Sequence, residues 1–246
     1  MKDMLRAIES RRSRRKYLPT AIILPAVETL KSFIAEFNAK ESVQMRLVLD
    51  NGDAFKGLKK SYGMFSGVRH YIALVGDPKD PVGIEKLGYY GQWLVLHATA
   101  LSLGSCWVGG TFDRAACPVE LAEGESIICV IVVGNVPQKS GVKENLIYGL
   151  THRKTKTVEQ MMESHGLAPE WFMNGMRAAQ KAPSAVNRQP VRFTYQEDGG
   201  VTAAVEDIEG EGAPLDLGIA KLHFEIGAGG GTWEFGNGAA FQRDEA

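Results

Sequence analysis

HATALSLGSCW, residues 97–107, and HFEIGAGGGTW, residues 223–233, share the spacing H-x6-G-x2-W. Each follows an apolar stretch with helical spacing, so each reads as the last turns of a helix, a glycine turn and an aromatic residue. Upstream, MRLVLDNGDA (45–54) matches VRFTYQEDGG (191–200) in pattern, and Arg11-Arg12-Ser13 has a faint counterpart in His152-Arg153-Lys154. The order of elements is the same in both halves, which points to an ancient duplication. The expected division is 1–150 for the first repeat and 151–246 for a second, truncated one, with the polar stretch 138–157 as the boundary.

Outward from this repeat the chain alternates helix and strand patterns. Residues 3–10 read as a short helix carrying Met4, Leu5 and Ile8, and residues 11–16 break its period. Residues 25–37 read as an amphipathic helix with Pro25 in its first turn and a stripe of Val27, Leu30, Phe33, Ile34 and Phe37. Strands are expected at 44–50, ending in an Asn51-Gly52 turn, at 69–76, and at 126–134, the last apolar enough to run through a sheet centre. A helix is expected at 89–103. In the second half helices are expected at 169–181 and 215–227, and strands at 191–196 and 200–205, with no counterpart of the buried strand at 127–133.

The 246 residues are 44% hydrophobic and 23% charged, with a formal net charge of −1, as in an ordinary globular protein. That balance argues against a dedicated nucleic-acid or anionic-membrane surface. No apolar run reaches membrane-spanning length, and MKDMLRAIES is not a signal peptide. Three cysteines, Cys106, Cys117 and Cys129, form no C-x-x-C pair, so neither a disulfide framework nor a zinc site is suggested. Cys106 and Cys129 read as small core residues, and a reducing cytoplasm is the expected setting.

Three segments could carry chemistry. Arg11, Arg12, Ser13, Arg14 and Arg15 place four cations around one hydroxyl after a short helix. Guanidinium groups grip phosphate oxygens bidentately, but read alone the cluster serves equally as a solvated basic face or a nucleic-acid contact. Ala182–Pro190, APSAVNRQP, bounds Ser184, Asn187 and Gln189 between prolines. Its amides offer the donors and acceptors that the edge of a planar heterocycle needs, and equally an ordinary capped turn. Gly104–Gly110, GSCWVGG, could bring bare backbone N–H groups close to a ligand, or form a tight turn.

Taken together these segments resemble the FMN-dependent nitroreductase superfamily. RRSRRKY (11–17) resembles its RRSxRxF segment, APSAVNRQP (182–190) its PSxxNxQPW loop, and SCWVGGTFD (105–113) the glycine segment after its long central helix. The resemblance implies a mixed α+β fold, a mainly antiparallel sheet flanked by helices. Family members are usually homodimers in which one subunit supplies the arginine segment and the other the PSxxNxQP loop. Here the first motif lies in the first repeat and the second in the second, which implies a single-chain pseudo-dimer with one FMN site, a monomer needing no second subunit.

By the resemblance, Arg11, Arg12, Ser13 and Arg15 hold the FMN phosphate and ribityl chain. Pro183, Ser184, Ala185, Asn187 and Gln189 contact the ring, Gly109 and Gly110 place donors near its reactive nitrogen, and Arg153 or Lys154 adds a phosphate cation. Val191 stands where the family has Trp. The implied activity is ping-pong hydride transfer on FMN, with NAD(P)H as a transient donor and a nitroaromatic, quinone or similar small molecule as acceptor. The alternative is a flavin-binding protein that stores or senses the cofactor without turnover.

No catalytic acid or base and no metal site is expected. IGAGGG (226–231) is not a dinucleotide-binding loop, because a helix pattern precedes it and TWEFGNG cannot continue as a helix. His97 and His223 are expected to be satisfied core histidines.

Overall fold

The computed structural model describes residues 2–56, 64–138, 149, 153–208 and 212–244. Most of the expected boundary stretch 138–157, with His152 in it, lies outside them. The chain divides into two compact units. One comprises Ser10–Lys79 and Leu94–Thr151; the other comprises Met1–Glu9, Asp80–Trp93 and His152–Ala246. They are called here the first-sheet and second-sheet units.

The first-sheet unit holds helix α2 (Leu24–Glu41) and strands β1 (Gln44–Val48), β2 (His70–Gly76), β3 (Gly104–Val108) and β4 (Ser126–Gly134), in the spatial order β1-β2-β4-β3 with antiparallel pairing. Helix α2 starts where Pro25 suits an N-terminal turn and stops at Ser42, which takes the left-handed conformation at φ 56°. Its stripe buries Val27, Leu30 and Ile34, while Phe33 stacks on His97 with ring centroids 3.9 Å apart. Strands β2 and β4 are interior strands, and Tyr71, Ala73, Val130 and Val132 are fully buried on one side of them with Cys106 and Val108 of β3.

The second-sheet unit holds β5 (Met162–Ser164), α4 (Glu170–Ala179), β6 (Arg192–Tyr195), β7 (Val201–Ala204), α5 (Ala213–Ala228), β8 (Thr232–Trp233) and β9 (Ala240–Gln242), in the order β5-β6-β7-β9-β8. Its core is aromatic. Phe193 stacks on Phe224 at 5.0 Å, and Phe172, Trp233 and Phe241 surround the same ring. A Cβ on Gly175 would lie 2.7 Å from the Phe224 ring and one on Gly227 2.6 Å from Ala178. Glycine at both positions therefore sets the close approach of α4 and α5.

Helices α1 (Lys2–Ser10) and α3 (Pro81–Ala100) each run from one unit's residues into the other's. The first turns of α3 belong with the second sheet for a packing reason. A Cβ on Gly218 of α5 would sit 1.9 Å from the Glu85 carbonyl oxygen, and one on Gly88 2.2 Å from that of Leu215. The two helices therefore meet backbone to backbone. Helix α3 also begins eight residues before the expected position 89. Asp80 caps it, its Oδ1 accepting from Val82 N at 3.1 Å and Gly83 N at 3.0 Å, and Pro81 opens the first turn.

Both sheets repeat one plan. A helix leads into two strands, a second helix into two more, and the fourth strand inserts between the second and third: β1-β2-β4-β3 against β6-β7-β9-β8. Trp107 of β3 pairs with Ile131 of β4, and Trp233 of β8 pairs with Phe241 of β9. The expectation that the second half lacks a counterpart of β4 is corrected: Ala240–Gln242 is that strand. It spans three residues against nine, and the glycines around it hide its period.

Candidate functional site

The arginine segment follows α1 as extended chain in the first-sheet unit. Ser13 bridges Ser105 of β3 in parallel, Arg14 N donates to Ser105 O at 2.9 Å, and Lys16 bridges Ser66. The side chains divide their work. Arg14 Nη2 donates to Pro137 O at 3.0 Å, and Tyr17 OH donates to Arg14 O at 2.8 Å, so this arginine anchors the strand-like segment. Arg11 Nη1 lies 3.3 Å from Ser13 Oγ, Arg12 is exposed with Nη1 2.8 Å from Arg11 O, and Arg15 lies over the Phe65 ring at 5.4 Å. Holding several cations beside one hydroxyl on extended backbone suits an anionic group.

Gly109 and Gly110 lie at the end of β3 in the same unit. Both are exposed, and a Cβ on either would meet nothing within 4 Å among the described residues. No neighbour among the described residues demands glycine there, which leaves bare backbone for a ligand to approach. Arg114 holds this turn. Its Nη2 donates to Gly109 O at 2.6 Å, its Nε donates to Ile127 O at 3.0 Å, and its guanidinium lies 4.8 Å from the Phe112 ring centroid. Nothing in the local sequence marked Arg114, because its role depends on backbone carbonyls that the fold brings to it, Ile127 O from thirteen residues away among them.

The Pro183–Gln189 loop belongs to the second-sheet unit and forms a short 3-10 turn at Ala185–Asn187. Three of its non-glycine residues have left-handed backbones: Val186 at φ 46°, Asn187 at φ 54° and Gln189 at φ 48°. Such conformations cost about 1–3 kcal/mol each, most of all for a β-branched residue, and persist where surrounding contacts over-determine them. Those contacts are present. Asn187 Nδ2 donates to Arg153 O at 2.8 Å. Gln189 Oε1 accepts from Lys156 N at 2.7 Å, its Nε2 donates to Gln180 O at 2.8 Å, its carbonyl accepts from Lys156 Nζ at 2.9 Å, and its N–H donates to Ser184 Oγ at 2.9 Å.

The loop and the basic segment Arg153–Lys156 are thus brought together, with Arg153 and Lys154 exposed beside it. Gln189 is 3% exposed and both ends of its amide are engaged inside the protein. It shapes the loop. Asn187 commits its amide nitrogen in the same way and leaves its oxygen as the acceptor.

Asp216 and Lys156 support the loop and went unmarked in the sequence. Asp216, 5% exposed in the first turn of α5, accepts the Ala185 N–H at 3.1 and 3.2 Å with its two oxygens. Burial pushes its carboxyl up to about 7, against the pull of the Ala185 N–H and of the Arg188 charge. A carboxylate inside the apolar run APLDLGIA was the available signal.

Other buried polar groups tie α3 to α5. Lys221 Nζ, fully buried, donates to Glu85 Oε1 at 2.6 Å and to the carbonyls of Glu234 and Gly236 at 3.0 Å. Tyr89 OH donates to Glu225 Oε2 at 2.6 Å, and burial lifts that carboxyl to about 7. Gln92 Nε2 donates to His223 Nε2 at 2.7 Å, so His223 Nδ1 carries the proton it donates to Ala178 O at 3.0 Å. His223 is the satisfied core histidine expected, and His97 is stacked and half-buried.

The IGAGGG stretch ends α5, with Gly229, Gly230 and Gly231 at φ 95°, 122° and 136°, and it opens no helix. Cys106, Cys117 and Cys129 are buried, and none of them is in a disulfide. Among the described residues no group of three or more His, Cys, Asp or Glu is placed to hold a metal ion, and no helix is long and apolar enough to cross a membrane.

Two mainly antiparallel sheets flanked by helices make this a mixed α+β protein with a nitroreductase-like fold. The model of the family described as "Putative TM nitroreductase" matches residues 3–228, and the chain belongs to that family, whose name places it among the oxidoreductases. Among solved structures, a "putative nitroreductase" from Thermotoga maritima MSB8 is 20% identical with a TM-score of 0.67, covering 97% of this chain and 91% of that one. It shares the fold along essentially the whole length. A nitroreductase with bound FMN from Bacteroides fragilis NCTC 9343 is 16% identical with a TM-score of 0.43, covering 56% of this chain and 91% of that one. Another with bound FMN from Desulfitobacterium hafniense DCB-2 is 17% identical with a TM-score of 0.45, covering 58% and 94%. No curated protein matches the chain.

Proposed function

We propose that the chain is an FMN-dependent NAD(P)H oxidoreductase that reduces nitroaromatic, quinone or similar small acceptors. The observation that carries this reading is family membership over residues 3–228, in a chain that keeps both the RRSRR and the PSAVNRQP segments. The residues fit the cofactor. Arg11, Arg12, Ser13 and Arg15 would take the phosphate and ribityl chain from an extended segment already anchored by Arg14. Gly109 and Gly110 would offer backbone donors from an open turn held by Arg114. Pro183, Ser184, Ala185, Asn187 and Gln189 would form the ring-facing loop, with Arg153 or Lys154 as a further phosphate cation.

FMN supplies the hydride chemistry when bound, and the protein supplies position and electrostatics. No side chain is assigned as acid or base. The repeated strand order supports a further part of the proposal, an internal duplication acting as a monomeric pseudo-dimer with one cofactor site. A cytoplasmic setting is also proposed, supported by three buried cysteines that are not disulfide-bonded.

The test is the visible spectrum of the purified chain, with FMN titrated in. Uptake of about one FMN per chain, rapid bleaching by NADH or NADPH without oxygen, and parallel initial-rate lines with a nitroaromatic or quinone are expected. A chain that takes up no FMN overturns the cofactor assignment. Uptake without reduction leaves the storage or sensing protein, and intersecting lines exclude the ping-pong order. Sedimentation equilibrium at the 26.8 kDa monomer mass supports the pseudo-dimer, and a stable dimer refutes it.

A further inference from the structure

We infer that Asp216 is the positioning residue of the Ser184–Gln189 loop, clamping the Ala185 N–H so that the left-handed turn holds the shape that receives the flavin. The inference rests on the FMN reading above. The loop carries three left-handed non-glycine residues and cannot keep this form on local preference. Its far end is held redundantly, by Lys156, Gln180 and Ser184 around Gln189. Its near end is held by Asp216, whose two oxygens converge on Ala185 N at 3.1 and 3.2 Å.

The environment of Asp216 argues in the same direction. A carboxylate in the first turn of an apolar helix, 5% exposed, is costly to bury. The groups that act on it favourably, the Ala185 N–H and the Arg188 charge, both come from this loop. Position 216 thus spends a buried charge on the loop alone.

The test compares Asp216→Ala with Asp216→Asn, which keeps an acceptor oxygen without the charge. FMN affinity is read by flavin fluorescence, and exchange of the Ala185 amide proton by NMR in flavin-free protein. Losing the buried acceptor is expected to weaken FMN binding on the order of 10-fold and to speed Ala185 exchange by at least as much, while Asp216→Asn stays within about 3-fold of the parent. Asp216→Ala with unchanged affinity and unchanged exchange overturns the clamp. If Asp216→Ala does not fold, the parent and Asp216→Asn decide: the Ala185 amide must be protected from exchange in both, as its bond to residue 216 requires, and an Ala185 that exchanges as an open amide in either refutes the inference. A parent that ignores FMN but protects Ala185 refutes the cofactor reading and leaves the clamp standing.

Discussion

Replacing Asp216 by Asn should make the protein more stable, and increasingly so as pH rises. The ordinary carboxyl value of 3.8 is lifted to about 7 by burial. The folded chain therefore holds this proton more tightly than the unfolded chain. Between about pH 4 and 7 the native state binds the extra proton, so stability falls as pH rises through that window and levels off once both states are ionised. The full cost of the buried charge is on the order of 4 kcal/mol, of which roughly 2.5 kcal/mol develops between about pH 5 and pH 8.

The amide of Asp216→Asn cannot ionise and still presents an oxygen to Ala185 N. Urea unfolding of parent and variant at several pH values isolates the effect, because every other titrating group, Glu225 included, cancels in the difference. The variant's advantage should grow by roughly 2.5 kcal/mol from about pH 5 to pH 8 and then flatten. An advantage that does not change with pH, or a variant less stable than the parent above about pH 8, would refute the reasoning.

Three further outcomes follow from the contact between α3 and α5. Gly218→Ala places a Cβ 1.9 Å from Glu85 O and 2.7 Å from Tyr89 N, both backbone atoms. It should cost about 3 kcal/mol in urea unfolding, and a change under about 0.5 kcal/mol would mean that the helices do not approach so closely. Lys221→Met strands the Glu85 carboxylate in the interior and should cost about 3–5 kcal/mol, with much of the loss recovered when Glu85→Gln is added; additive losses would deny the pairing. Tyr89→Phe removes a hydrogen bond that holds the Glu225 carboxyl down against burial, so that group should titrate above about 7, with about 1–2 kcal/mol of stability lost. Infrared titration of the carboxyl band checks the direction, and a lower midpoint would contradict it.

The sequence by itself determined the parts of this protein that depend on neighbours along the chain. Periodicity found α2, β2, β4 and α5 to within a few residues, because an element that buries one face must repeat its apolar positions at its own pitch. The H-x6-G-x2-W spacing found the helix-to-edge-strand corner of each half, since a helix end, a reversal and a strand start are local events. The start of α3 was missed: the sequence placed it at 89 rather than at Pro81, because Gly83 and Gly88 mask the helix period that follows the Asp80 cap.

Tertiary structure decided the rest. Strand β9 is three residues among glycines and becomes a strand because Phe241 finds partners in β7 and β8. The amides of Asn187 and Gln189 look like ligand readers in one dimension, yet Gln189 spends both its ends on Lys156 and Gln180. Asp216 reads as an ordinary first-turn acid until burial and the Ala185 N–H give it a task, and Glu85 and Lys221 read as surface charges until two glycines draw their helices together. Local pattern reports which face of an element avoids water. Which polar group a buried side chain meets depends on segments far apart in the chain, and that meeting exists only once the chain has folded.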